Sequence, residues 1–290
     1  MNTDEKEKGM AGITELSTKR IDAKFRILSK KNACALICYL VAGYPNIRMS
    51  EVLVDVLVKA GADIIEIGIP FSDPIADGPT IQGAYNDALK NKVNPTKCLA
   101  LVARLRKKYP DLPIILMTYS NIVIREGGVK RFVQRSKESG VDGFILPDMN
   151  IDEAHLYIKV ASEAGLATVF LASPNTKKIR LKSIISKSSG FLYLITVFGV
   201  TGAQKSFQNL TAHSIRRVKR LSGSKIPVVV GFGISKPEHV RYMINAGADG
   251  VIIASAILDI IKSNLKSPTL GLKIKSFVEG MKTACQSKNL

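Results

Sequence analysis

One carboxylate lies in the middle of an apolar run, and a second follows it in a loop. Glu66 is surrounded by isoleucines within residues 63–69, and Asp77 comes eleven residues later in a loop rich in proline, glycine and aspartate. Burying a carboxylate among apolar side chains costs several kcal/mol unless a partner or a ligand compensates it. Such a group is a candidate for acid–base chemistry, although a structurally paired glutamate explains Glu66, taken alone, equally well.

Eight short apolar runs rich in β-branched residues alternate with amphipathic stretches, which predicts repeated strand–helix units. The predicted strands cover residues 36–42, 63–68, 113–119, 143–147, 168–172, 191–196, 227–231 and 250–254. The predicted helices cover residues 50–60, 95–108, 130–139, 152–164, 180–188, 210–221, 237–246 and 270–284. This pattern predicts a (β/α)8 TIM barrel with extra N-terminal and C-terminal helices. An open doubly wound sheet is the competing fold, but it more often has fewer strands, and no G-x-G-x-x-G follows the first strand here.

The domain organisation is expected to be simple. Residues 1–17 are polar and predict a disordered extension, and residues 18–290 predict a single barrel domain with no linker. A short helix over residues 18–30 is expected to cover the bottom of the barrel. Gly-x-Asp sequences at 61–63, 140–142 and 247–249 fit helix C-caps that lead into strands.

Composition and charge exclude several classes of protein. The net charge of +18 comes from basic clusters on different predicted helices, without interleaved aromatic residues, which favours solvated helix faces over a nucleic-acid site. No apolar run reaches the roughly 18 residues of a membrane span, and the polar N-terminus lacks a secretory signal. We therefore expect a cytoplasmic protein. Four cysteines without a metal or disulfide spacing are expected to be buried free thiols.

In a barrel of this kind the active site lies at the C-terminal ends of the strands. Glu66 lies near the end of the second predicted strand, and Asp77 lies in the long loop over 69–80 that follows it. Glycine turns at 199–203 and 231–235, and a helix that starts at 254–255, follow the last three strands. Backbone N–H groups at such turns and helix N-termini bind anions, so the three together predict a phosphate pocket.

Residues that are missing from the catalytic end narrow the chemistry further. The three histidines fall in predicted helices and not at the catalytic ends of strands, so no metal site is expected. No lysine lies on a predicted strand, which argues against a Schiff-base aldolase. The chemistry that remains is general acid–base catalysis by two carboxylates on a phosphorylated substrate.

The motifs resemble those of one family, the α subunit of tryptophan synthase. The segment IEIGIPFSDPIADGPTIQ around the second strand is similar to that family's most specific signature. The motifs GYP, TYSN, LPD, GVTGA and GFGIS follow in the family's order and spacing. The resemblance covers about residues 18–285, and it implies cleavage of indole-3-glycerol phosphate to indole and glyceraldehyde 3-phosphate without a metal or cofactor.

The resemblance also implies the roles of individual residues. Glu66 would protonate indole C3 and assist deprotonation of the glycerol hydroxyl, while Asp77 would hold the indole N–H. The indole pocket and the residues that support the two carboxylates would comprise Tyr39, Met117, Tyr119, Tyr193 and Thr201. The phosphate would be bound by Gly202, Gly233, Ala254 and Ser255. Tyr39 replaces a common phenylalanine and puts a hydroxyl near the indole pocket.

The family passes indole to a pyridoxal-phosphate β subunit in an α2β2 tetramer, so that cofactor is expected only on the β partner. A stand-alone lyase that releases indole would use the same active site and stays an alternative. A catalytically dead activator of the β subunit is a further alternative, and the presence of both carboxylates argues against it.

Overall fold

The computed structural model describes residues 19–196, 204–223, 225–231 and 233–286. The extension predicted over residues 1–17 lies outside the described residues. So do Thr201, Gly202 and the rest of the glycine turn at 199–203.

Nine parallel strands form one sheet in the order β5-β4-β3-β2-β1-β9-β8-β7-β6. They are β1 (Ala35–Val41), β2 (Ile64–Gly68), β3 (Ile114–Met117), β4 (Gly143–Ile145), β5 (Ala167–Val169), β6 (Leu171–Ala172), β7 (Leu192–Ile195), β8 (Val228–Gly231) and β9 (Gly250–Ile253). The two edge strands, β5 and β6, are separated only by Phe170, whose carbonyl accepts a hydrogen bond from the Tyr193 N–H at 3.1 Å. They are two halves of one strand, so the sheet is a nearly closed barrel with eight strand positions, and the predicted TIM barrel is confirmed.

Helices alternate with the strands throughout the described ranges. They are α1 (Lys19–Lys30), α2 (Ile47–Lys59), α3 (Pro79–Lys90), α4 (Pro95–Lys108), α5 (Ser120–Arg125), α6 (Gly128–Glu138), α7 (His155–Glu163), α8 (Lys178–Lys187), α9 (Gln204–Ser222), α10 (Pro237–Asn245), α11 (Ser255–Ser263) and α12 (Leu270–Cys285). Sequence reasoning did not predict α3 or α5. The loop predicted over 69–80 is shorter than expected, because α3 starts at Pro79, a residue whose fixed φ favours the first turn of a helix.

The two extra helices lie where they were expected. Helix α1 packs on the bottom of the barrel, where the Phe25 ring lies 6.0 Å from Phe191. Arg20 Nη1 lies 2.8 Å from Asp142 Oδ1, next to the start of β4. Helix α12 packs against α2 and α10 on the side of the barrel. No helix in the described ranges is long and apolar enough to cross a membrane.

The three predicted Gly-x-Asp turns share one arrangement at the bottom of the barrel. Each glycine has a left-handed φ between 88° and 106°, as in the predicted helix C-caps. The buried carboxylate of Asp142 accepts the Ile114 N–H of the preceding strand at 2.8 Å and pairs with Arg106 at 2.6 Å. In the same way, Asp63 accepts the Leu36 N–H and pairs with Lys282. Asp249 accepts the Val228 N–H and pairs with Lys219.

All four cysteines are buried thiols that form no disulfide with one another, as predicted. Burial raises the pKa of the Cys98 thiol to about 12, so this side chain is protonated at neutral pH. The cysteines therefore contribute to the core as small apolar side chains.

Candidate functional site

A cavity of about 690 Å³ opens at the C-terminal ends of the strands. Most of the predicted site residues line it, namely Tyr39, Glu66, Asp77, Met117, Tyr193, Gly233, Ala254 and Ser255. Tyr119 is the exception within the described ranges, because it contacts Asp77 and does not belong to the cavity wall. The barrel therefore brings together residues from four strands, β1, β2, β3 and β7, and from the turns after β2, β8 and β9.

Glu66 is the third residue of β2 and is 1% exposed. Its Oε2 atom has no hydrogen-bond partner among the described residues, which is costly for a buried polar atom. Burial and then the negative charge of Asp77 raise the pKa of Glu66 to about 8. The side chain is therefore mostly protonated at neutral pH and presents a proton donor to the cavity.

Asp77 lies in the loop between β2 and α3 and is held in a different environment. The Tyr119 hydroxyl donates to Asp77 Oδ2 at 2.6 Å and accepts the Ala76 N–H at 3.1 Å. Phe71 stacks on Tyr119 with ring centroids 5.0 Å apart, which closes the loop over this contact. Burial raises the pKa of Asp77 to about 6 while the Tyr119 hydrogen bond opposes the rise, so Asp77 is mostly ionised at neutral pH.

Two tyrosines stand on the cavity wall beside these carboxylates. Tyr39 is opposite Glu66 in the register of β1 and β2. Its hydroxyl is hydrogen-bonded to the Tyr85 hydroxyl of α3 at 2.9 Å, so this polar group has a partner in the protein. The Tyr193 hydroxyl lies against Gly231, where a Cβ would come within 2.5 Å of it. A glycine at that position makes room for the ring.

The opposite part of the cavity has the features of an anion site. Gly233 has a φ of 73°, a conformation that glycine adopts without strain, and it lies between β8 and α10. Helix α11 starts at Ser255 and α10 starts at Pro237, and residues at both N-termini line the cavity. The first N–H groups of a helix lack partners within the helix and carry a partial positive charge, so these two ends favour a phosphate.

Three charged or titratable residues on this part of the wall were not predicted. Lys236 precedes α10 and adds a positive charge, whereas Asp259 of α11 adds a negative one and accepts a hydrogen bond from the Thr80 hydroxyl at 3.1 Å. His239 lies in the first turn of α10, a helix as predicted, but this turn faces the cavity, so the histidine lies nearer the site than the sequence indicated. The available signal was that it lies three residues after Lys236, close behind the glycine turn at 231–235 that was predicted to bind phosphate.

His239 is bound to the protein rather than poised as a metal ligand. Its Nδ1 accepts the Ser235 N–H at 3.3 Å, which braces the glycine turn. Burial and then the charge on Lys236 lower the pKa of His239. No group of three or more potential metal ligands occurs among the residues that the structure describes.

The chain is similar in sequence and in structure to members of one family. The family model described as tryptophan synthase alpha chain matches residues 25–286. A tryptophan synthase alpha chain from Methanothermobacter thermautotrophicus is 43% identical over 244 residues, which are 84% of this chain and 89% of that protein. The crystal structure of the alpha subunit from Legionella pneumophila matches with a TM-score of 0.83 at 33% identity, covering 92% of this chain and 98% of the other. A chain of the tryptophan synthase complex from Pyrococcus furiosus matches with a TM-score of 0.77 at 38% identity, covering 86% of this chain and 98% of the other.

The burial of Glu66 makes stability depend on pH. Between the ordinary glutamate pKa near 4.5 and the folded value of about 8, the native state keeps a proton that the unfolded state releases. The free energy of unfolding of the wild type therefore falls as the pH rises through this window, by up to several kcal/mol. Glu66→Gln removes this dependence, so its stability relative to the wild type is expected to increase from pH 5 to pH 8 in urea unfolding followed by circular dichroism.

Glu163→Gln is the matched control for this measurement, because Glu163 is 65% exposed on α7. Its stability relative to the wild type is expected to stay constant over the same pH range. A constant difference for Glu66→Gln as well would contradict the raised pKa.

Proposed function

Because the chain belongs to the tryptophan synthase alpha chain family, we propose that it cleaves indole-3-glycerol phosphate to indole and glyceraldehyde 3-phosphate. The observation that carries the proposal is the pair of carboxylates in one cavity. Glu66 is buried with a free oxygen and favours the protonated form, and Asp77 is held by Tyr119 and favours the ionised form. Two carboxyl groups whose environments push their pKa values apart serve as an acid and an electrostatic group.

The reaction needs one proton delivered and one removed. Glu66 donates its proton to indole C3, and the positive charge that develops on the ring nitrogen is stabilised by Asp77, which accepts the indole N–H. The Glu66 carboxylate then takes the proton of the glycerol hydroxyl on the carbon bonded to indole C3. That carbon becomes the aldehyde as its bond to indole C3 breaks. The electron pair of the broken bond moves into the ring and restores the aromatic indole.

The rest of the cavity binds the two ends of the substrate. Tyr39, Met117 and Tyr193 form the apolar wall for the indole, and Tyr119 acts through Asp77. The phosphate is bound by backbone N–H groups at Gly233, Ala254 and Ser255, with Lys236 as an additional cation. By the family resemblance, Thr201 would bond Asp77 and Gly202 would contact the phosphate, and both lie outside the residues that the structure describes.

We propose further that a tryptophan synthase β subunit binds the catalytic face in a cytoplasmic α2β2 assembly. Large apolar side chains are exposed in segments that follow strand ends at this face: Ile75, Ile124, Leu156 and Ile179. Ile75 and Ile179 are 84% and 87% exposed, so a partner that covers them gains free energy from burying their apolar surface. Pyridoxal phosphate belongs to that partner and not to this chain.

Replacing the acid tests the assignment directly. Glu66→Gln keeps the size of the side chain but has no proton to donate, so turnover of indole-3-glycerol phosphate is expected to fall by about 10²–10⁴-fold. Indole is uncharged whereas the substrate carries a phosphate, so the indole extracted into an organic solvent measures turnover. Glu163→Gln is expected to retain wild-type turnover, and near wild-type turnover in Glu66→Gln would contradict the proposal.

The two pKa values predict a bell-shaped pH profile of kcat/KM. Activity is expected to fall below about pH 6 as Asp77 is protonated, and above about pH 8 as Glu66 ionises. A phosphate monoester also titrates near pH 6, so Asp77→Asn serves as the control. Loss of the acidic limb in Asp77→Asn assigns that limb to Asp77, whereas its persistence at unchanged pH would assign it to the substrate.

The exposed isoleucines predict where the β subunit binds. Ile75→Asp places a charge in the proposed interface and is expected to raise the Kd for purified β subunit about tenfold or more, measured by calorimetry. Ile27→Asp is the control, because Ile27 is half exposed on α1 at the other end of the barrel. Equal weakening by both variants, or by neither, would contradict this docking face. Turnover with and without the β subunit distinguishes a stand-alone lyase from a subunit that depends on its partner.

A further inference from the structure

Two buried tyrosine hydroxyls form a pair that the proposed reaction does not use. Tyr39 of β1 is 1% exposed, Tyr85 of α3 is 0% exposed, and their hydroxyl oxygens are 2.9 Å apart. Gly68, the last residue of β2, leaves the space that they occupy. A Cβ at this glycine would lie 2.1 Å from the Tyr39 oxygen and 2.9 Å from the Tyr85 oxygen, so the pair requires a glycine there.

The pair connects the elements that carry the two carboxylates. Tyr39 is the register partner of Glu66 on the neighbouring strand, so the two side chains project on the same side of the sheet. Tyr85 lies in α3, which starts at Pro79, two residues after Asp77. The hydrogen bond therefore joins the helix that follows Asp77 to the strand beside Glu66.

Other polar contacts of α3 do not replace this one. The Thr80–Asp259 hydrogen bond is exposed and joins the start of α3 to α11, not to the strands near Glu66. The Gln82 side chain donates to the Asp77 carbonyl at 2.8 Å, which attaches the Asp77 backbone to the first turn of α3. A displacement of α3 would therefore displace Asp77. A buried hydroxyl pair resists such a displacement, because separating the hydroxyls leaves polar groups without partners.

We propose that Tyr85 is a positioning residue that, through its hydrogen bond to Tyr39, fixes Asp77 relative to Glu66. This role rests on the proposed function, because it matters only if both carboxylates act on one substrate. Asp77 must accept the indole N–H while Glu66 reaches C3 of the same ring, and small errors in such a geometry reduce the rate strongly.

The test uses a set of substitutions that remove single hydroxyls from the full chain. Tyr85→Phe and Tyr39→Phe are each expected to lower kcat by about tenfold with a smaller change in KM, because the charge that Asp77 stabilises develops only in the transition state. The double variant is expected to be no slower than either single variant, since both remove the same bond. In the Asp77→Asn background, Tyr85→Phe is expected to change kcat less than about twofold.

A matched control and an independent readout accompany the kinetics. Tyr157→Phe also removes a buried hydroxyl, but that oxygen has no hydrogen-bond partner among the described residues, so kcat is expected to stay unchanged. Amide hydrogen exchange on the substrate-free chain is expected to speed up in α3 for Tyr85→Phe, but not in α10 and not for Tyr157→Phe.

Several results would overturn the positioning role. Unchanged exchange in α3, multiplicative effects in the double variant, or an equal loss of kcat in the Asp77→Asn background would each do so. A wild-type chain without lyase activity refutes the proposed function and this role together. An active wild-type chain with an unaltered rate in Tyr85→Phe refutes this role alone.

Discussion

The burial of one carboxylate at the mouth of an apolar barrel is the constraint on which the rest of the site depends. Glu66 is flanked on β2 by isoleucines with almost no exposed surface, and it has Tyr39 beside it on β1. In such surroundings the charged form is disfavoured, which gives the group a transferable proton at neutral pH. The cost is a buried Glu66 oxygen that has no hydrogen-bond partner among the described residues.

The second carboxylate, unlike Glu66, is positioned by side-chain contacts and not by a strand. Asp77 lies in a loop, and its properties depend on the Tyr119 hydroxyl and on the ring of Phe71 stacked behind it. A strand holds Glu66 with little freedom, whereas Asp77 depends on side-chain bonds to keep its place. The barrel thus combines an acid held by a strand with an electrostatic group held by side-chain hydrogen bonds, and the charge of the second group acts on the pKa of the first.

Patterns that are local in sequence predicted most of the fold and both carboxylates. Apolar runs found all eight strand positions, because strands buried on both faces are almost uniformly apolar. The break at Phe170 and the helix α3 were missed, since neither changes the local pattern strongly. The bonds from Tyr119 to Asp77 and from Tyr85 to Tyr39 join residues 42 and 46 positions apart, so no spacing rule could identify them. The same holds for Lys236 and Asp259, which share the cavity wall only because strands β8 and β9 are neighbours.

The Gly-x-Asp turns have a consequence for how the chain reaches its native state. Each aspartate links the start of one strand to the start of the next strand along the chain, so each closes one β–α–β unit within fewer than 30 residues. Contacts of short sequence separation form with a small loss of chain entropy and favour rapid folding. All three links lie at the bottom of the barrel, so this end is held by contacts of short sequence separation that do not involve the catalytic loops. The loops at the opposite end can therefore vary in sequence without weakening these links.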